Sequence, residues 1–118
     1  MQKVMIENSS TGSILANEGG LADNYLSRLK GLIGKKDMAE GEGLIINPCM
    51  MVHSIGMKIN IDVLFISKNN EIVHIVENMT PNRISPYIKA AQYVIELPAG
   101  QVLRTGTTVG DKINITSG

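Results

Sequence analysis

Tryptophan is absent, phenylalanine occurs once and tyrosine three times, so this 118-residue chain has very little aromatic surface. Its interior has to be aliphatic, filled by Ile, Val, Leu and an ample set of seven Met. The same scarcity removes the platforms on which single-stranded bases stack. Basic excess is missing too, since eleven Lys and Arg balance eleven Asp and Glu. Nucleic-acid binders draw most of their affinity from phosphate neutralisation, and a neutral chain argues against that class. The local group Arg28, Lys30, Lys35 and Lys36 reads instead as a solvated helix end and loop.

A single cysteine excludes an internal disulfide and leaves the redox compartment open. No run approaches the ~18 to 20 apolar residues that a bilayer-spanning helix needs. The opening MQKVMIENSS lacks the apolar core of a secretory signal, so the chain as given is expected to be cytoplasmic. No glycine-rich phosphate loop, nucleophile elbow or H-E-x-x-H occurs. The expectation is of no bound cofactor and no structural metal.

What is present is a set of short β patterns. QKVMIEN and Ser13–Asn17 suit two strands, and Glu18-Gly19-Gly20 reads as a break. Leu21, Ala22, Tyr25, Leu26, Leu29 and Leu32 or Ile33 recur at helical spacing, which predicts a helix near 21–31. Asp23 in its first turn, Arg28 and Lys30 in its last, and Gly31 and Gly34 beyond suit the helix dipole and a left-handed stop. Residues 35–43 read as a surface loop, and 43–47 as a strand ended by Pro48.

The strongest strand is INIDVLFI, 59–66, with Ile59, Ile61, Val63 and Phe65 on one face and Leu64 and Ile66 on the other. A strand apolar on both faces belongs inside a sheet. Ser67–Asn70 makes a turn into a partner strand at 71–78, where His74 is expected to share a face with Ile72 and Val76. Thr80–Pro86, with two prolines, reads as an irregular crossing. A strand at 91–97 sets Tyr93, Ile95 and Leu97 against Gln92, Val94 and Glu96, and Glu96 is expected to be solvated or to meet a cross-strand cation. A helical turn at 100–105 and a last strand at KINI complete the pattern. The expected fold is mainly β: one domain over 1–118, sandwich-like or a distorted barrel, with one or two short helices around one continuous core.

The chemically dense stretch runs from Pro48 to Met57 and on to Asp62. With Cys49 as nucleophile, His53 would be its base and Asp62 the group orienting the base. An extended 49–53 would hold the first two about 13 Å apart, so only a folded loop brings them together. A soft-metal site could draw on Cys, His and Met, but one Cys and two His fall short of a closed zinc set. The preferred reading is a non-catalytic small-molecule-binding or interaction domain, with Arg28, Cys49, His53, Met57 and Asp62 as pocket candidates. The partner would be a small molecule or a protein. The plainer alternative makes Cys49 a small buried hydrophobe, the methionines core filler, and Asp62 a turn cap or a partner of Arg28.

RLKGLIG at 28–34, GEGLII at 41–46, PCMMVHSIGMKINIDVLF at 48–65, YVIELPAG at 93–100 and GDKI at 110–113 occur in that order. Together, over about 21–116, they resemble the DUF192 family of bacterial and archaeal proteins. The resemblance implies a single, mostly β domain with a minor helix and implies no activity. It also implies a branch with Cys, His, Met and Asp at the spacing of Cys49, His53, Met57 and Asp62, whereas another branch has an aromatic in place of His53. Ser54 stands where that branch usually has Thr, and Asn60 where it has Pro, which restores a backbone donor and lets the strand begin earlier. Some relatives carry export signals. Asp111 is expected to bond its neighbouring backbone and fix the last turn.

Overall fold

The structure, a computed structural model, describes residues 3–22 and 37–117. It places seven strands in one sheet: β1 (Lys3–Asn8), β2 (Ser13–Ala22), β3 (Glu42–Ile46), β4 (Ile61–Ile66), β5 (Ile72–Met79), β6 (Tyr93–Pro98) and β7 (Ile113–Ser117). One short helix, α1 (Gln101–Thr105), is present among the described residues. The strand order is β5-β4-β6-β3-β2-β1-β7, with β2 and β3 parallel and every other neighbouring pair antiparallel.

The sheet curls until its two edges meet at one end. Glu71 and Lys112 form a β-bridge and an ion pair of 3.2 Å. The Ile72 N–H donates to the Asp111 carbonyl (2.9 Å), and the Ile113 N–H to Asn70 (2.8 Å). The result is a half-barrel rather than a two-sheet sandwich, the barrel form of the expected mainly β fold. Asp111 holds this closure as expected, accepting from the Thr108 N–H (2.9 Å) and from Asn8 Nδ2 (2.9 Å). Those bonds, Asn8 first, hold its carboxyl below the usual carboxylate range.

A single core was the expectation, but the curled sheet carries two, one on each face. The inner one draws on every strand: Val4, Ile6, Leu15, Ile45, Leu64, Ile66, Ile72, Tyr93, Ile95, Leu97 and Ile113, with Val102 of α1 as a plug. The outer one joins Leu44, Ile46, Ile61, Val63, Phe65 and Val94 to Cys49, Val52, Met57 and Ile59 of the segment between β3 and β4. Strands β3, β4 and β6 are apolar on both faces, so a second layer has to cover their convex side. All six residues of β4 are buried.

Several local expectations change. Glu18-Gly19-Gly20 does not break the chain but lies inside β2, which runs on through Leu21 and Ala22. The expected helix therefore loses its first two residues to a strand, and its remainder, with Arg28 and the basic group, lies outside the described residues. Glycine is needed at 19 for close packing: a Cβ there would meet the Val4 carbonyl and Ile6 Cδ1, each at 3.1 Å. Gly43 is similar, since a Cβ would stand 2.9 Å from that of Ala16. Asn60 does not advance β4, which begins at Ile61; its amide donates to Asn78 Oδ1 at 3.0 Å.

His74 and Ile72 do not share a face. Phe65 pairs with His74 but Ile66 pairs with Ile72, so a bulge flips the side chains between them. His74 meets the Phe65 ring edge-on at 5.5 Å between centroids. The Ser67–Asn70 turn forms as expected, with Asn70 at φ 61.

Candidate functional site

Two irregular segments cover the outer face of the half-barrel, residues 49–57 and 80–88. Neither has the period of a strand, and between Pro81 and Pro86 the second pairs only in an isolated β-bridge, Ile84 with His53. They are stitched to each other by backbone bonds: Ser54 N–H to the Arg83 carbonyl (2.9 Å), Ser85 N–H to Val52 (2.9 Å) and Ile88 N–H to Met50 (2.8 Å). Two buried hydroxyls lock the pairing. Ser54 Oγ donates to the Thr80 carbonyl (2.6 Å) and accepts from the Arg83 N–H (2.9 Å). Ser85 Oγ accepts from the Val52 N–H (3.0 Å) and donates to the Pro86 carbonyl (2.9 Å).

The resulting strap has an inside and an outside. Cys49, Val52 and Met57 turn inward to the outer core. Met50, Met51, Ile55, Ile84 and Tyr87 turn outward, 36 to 65% exposed, and the Tyr87 hydroxyl donates to Met50 Sδ at 3.3 Å. These are five of the nine large hydrophobic side chains exposed among the described residues, so the exposed apolar surface is concentrated here. Exposed apolar side chains grouped on one feature mark interaction sites more often than singly scattered ones do.

Of the candidates named from the sequence, Cys49 and Met57 belong to the outer core. Arg28 lies outside the described residues. Cys49 is 8% exposed, and its thiol donates to the Met51 carbonyl at 3.2 Å. His53, half-buried, forms a β-bridge with Ile84, and its Nδ1 accepts from the Ile55 N–H at 3.2 Å. Neither of these bonds joins the two side chains. Met57 is buried in the outer core at 4% exposure.

Asp62 sits 1% exposed within β4, with its carboxylate saturated by backbone. Oδ1 accepts from Asn78 N–H (2.8 Å), and Oδ2 from Gly100 N–H (3.1 Å) and Val102 N–H (2.9 Å). Asn78 is at φ 51, in the second bulge of β5, and Gly100 caps α1 with no side chain of its own. The carboxylate thus clasps β4, β5 and α1 together.

Glu96 faces away from Tyr93, Ile95 and Leu97 as expected, but it is fully buried rather than solvated. Its neighbours across the ladder are Leu44 and Val63, not cations. A carboxylate at that depth has to be compensated, and Glu96 is not left without a partner. Among the described residues, no three of His, Cys, Asp and Glu gather as metal ligands, and no helix is long and apolar enough to cross a membrane.

Sequence reasoning passed over Ser85, Ile84 and Tyr87, and met Ser54 only as a departure from the family pattern. The signal available was the lack of any period in 80–88, which left its apolar residues with no predicted inner face.

The chain is 28% identical over 111 residues to the UPF0127 protein PF1050 of Pyrococcus furiosus, covering 90% of this chain and 93% of that protein. A crystal structure of a protein of unknown function from Novosphingobium aromaticivorans superposes with a TM-score of 0.80 at 23% identity, over 95% of this chain and 83% of the other. A Sinorhizobium meliloti protein described as a candidate transcription regulator matches with a TM-score of 0.79 and 29% identity, over 96% and 92%. The family model of DUF192, described as an uncharacterised ACR, matches residues 6–115, and the chain belongs to that family.

Proposed function

We propose that this chain is a non-catalytic interaction domain whose contact surface is the outward face of the strap. The observation that carries this reading is the concentration of Met50, Met51, Ile55, Ile84 and Tyr87 on two segments that are themselves firmly bonded together. Methionine and tyrosine suit such a role, the first by adapting its shape and the second by offering area at low entropy cost. The small-molecule alternative has less support, because the Asp62 carboxylate accepts three backbone N–H groups and Cys49 and Met57 are buried in the outer core.

A photo-crosslinking amino acid at position 87, introduced in the native host, is expected to yield defined protein adducts. The same group at position 109, another exposed apolar site, serves as the control. Equal yields from both sites, or none from 87, would remove the reading. The cysteine-enzyme alternative is separated by labelling. Iodoacetamide is expected to modify Cys49 at least about tenfold more slowly in the folded protein than in urea, because an inert buried thiol reacts only on opening. A folded-state rate above the unfolded one would restore Cys49 as a nucleophile.

A further inference from the structure

The strap and the residues flanking it carry a second signal, in their charge. Residues 47–61 and 80–92 contain no Asp and no Glu, although the whole chain has eleven acidic residues and is neutral. The Lys and Arg residues of these segments are Lys58, Arg83 and Lys89, and all three are exposed. Among the described residues, Glu77 of β5 lines a cleft of about 390 Å³ with Arg83 and Ile84.

We infer that the strap receives a protein segment with an apolar centre edged by carboxylates, an inference that rests on the interaction-domain reading. An apolar patch flanked by cations and almost free of acids is complementary to such a segment, and complementary fields guide encounter and reject wrong partners. The residue types fit a protein interface, where Tyr, Met and Arg are enriched at the contact core.

Three other occupants fit less well. A second copy in a two-fold contact would set Lys58, Arg83 and Lys89 against themselves, and like charges across an interface are costly. A nucleic acid would meet five hydrophobic side chains where it needs donors to phosphate. A bilayer takes apolar groups that project freely. Here Tyr87 is tied to Met50, and none of the five approaches the 81% exposure of Leu103 elsewhere on the surface.

The test is selection of random twelve-residue peptides displayed on phage against the intact protein, followed by titration of the winners at 50 and 300 mM salt. The selected peptides are expected to carry net negative charge and at least two large apolar residues, and to bind several-fold more weakly at the higher salt. Lys58→Glu/Arg83→Glu/Lys89→Glu is expected to weaken them at least tenfold, and Ile55→Asp/Ile84→Asp likewise. All five positions are exposed, so unfolding midpoints should hold, and Tyr87→Ser provides an independent truncation of the patch.

Neutral or basic winners that Ile55→Asp/Ile84→Asp abolishes would overturn the acidic partner and leave the interaction surface standing. Winners indifferent to every strap variant, or no winners, would overturn both. Three direct controls would reassign the surface and overturn the inference: co-sedimentation with 3:1 phosphatidylcholine–phosphatidylglycerol vesicles, retention of a 20-base-pair duplex, or a concentration-dependent dimer lost in Ile55→Asp/Ile84→Asp.

Discussion

Replacing Asp62 by alanine is expected to cost about 4 kcal/mol of folding stability, read as a fall in the urea midpoint at unchanged slope. The side chain is 1% exposed and accepts three backbone N–H groups, from Asn78, Gly100 and Val102. Hydrogen bonds to a charged acceptor are stronger than neutral ones, and each donor left buried without a partner costs roughly 1–3 kcal/mol. Loss of the clasp frees two features with no substitute nearby: the positive-φ bulge at Asn78 and the start of α1, whose Gly100 cap has no side chain.

Asparagine should not rescue it. An amide keeps one acceptor oxygen and turns an NH₂ toward the donors on the other side, so Asp62→Asn is expected to lose about 3 kcal/mol. A change under about 1 kcal/mol in either variant would show that water or neighbouring carbonyls replace the carboxylate. The role assigned to Asp62 as a structural clasp would then be wrong.

Asp62 also shows where sequence reasoning stops. Its position after Ile61 in an apolar strand was visible, and so was its chemical type. Its partners lie 16, 38 and 40 residues away, and no periodicity encodes such distances. The strands themselves were more legible, because β4 and β6 are short, largely apolar runs bounded by turn residues and the Asn70 turn announces a positive φ. Bulges are not legible in that way. One extra residue at Val73–His74 put Ile72 and His74 on opposite faces, and nothing in the run Ile72-Val73-His74-Ile75-Val76 marks it.

Glycine misled for a related reason. Gly19 and Gly20 resemble a turn, yet Gly19 is demanded by the approach of Val4 and Ile6 from the neighbouring strand. The strap was half legible. Its first segment stood out through Cys49 and His53, whose chemistry draws the eye. The second contains Ile, Tyr, Pro, small polar residues and one Arg, and its meaning depends on which side chains the fold leaves outside. Burial decides that, and burial of an aperiodic segment cannot be derived from spacing.

Tyr93 yields a prediction in which pH reverses the sign of a mutation. The side chain is 5% exposed in the inner core, and its hydroxyl donates to Asn70 Oδ1 at 2.8 Å. Burial pushes its pKa from 10.0 up to about 12. The folded state therefore keeps the phenolic proton that the unfolded chain releases near pH 10. The contribution to stability is full below pH 10 and is lost as pH rises through about 12, a total of about 3 kcal/mol.

Tyr93→Phe removes that titration together with the bond to Asn70. Below pH 10 the variant is expected to be about 1 kcal/mol less stable than the parent, the usual net value of one hydrogen bond. Above pH 11 the order should invert, with the variant ahead by about 1 kcal/mol at pH 12. Taking the difference between the two chains cancels the other tyrosines and the lysines, which titrate alike in both. Urea unfolding at half-unit steps from pH 8 to 12 measures it directly. A difference flat across that range would mean that the phenol ionises as readily in the folded protein as in the unfolded one. The hydroxyl would then be reached by water at the β4–β5 turn instead of being sealed against Asn70.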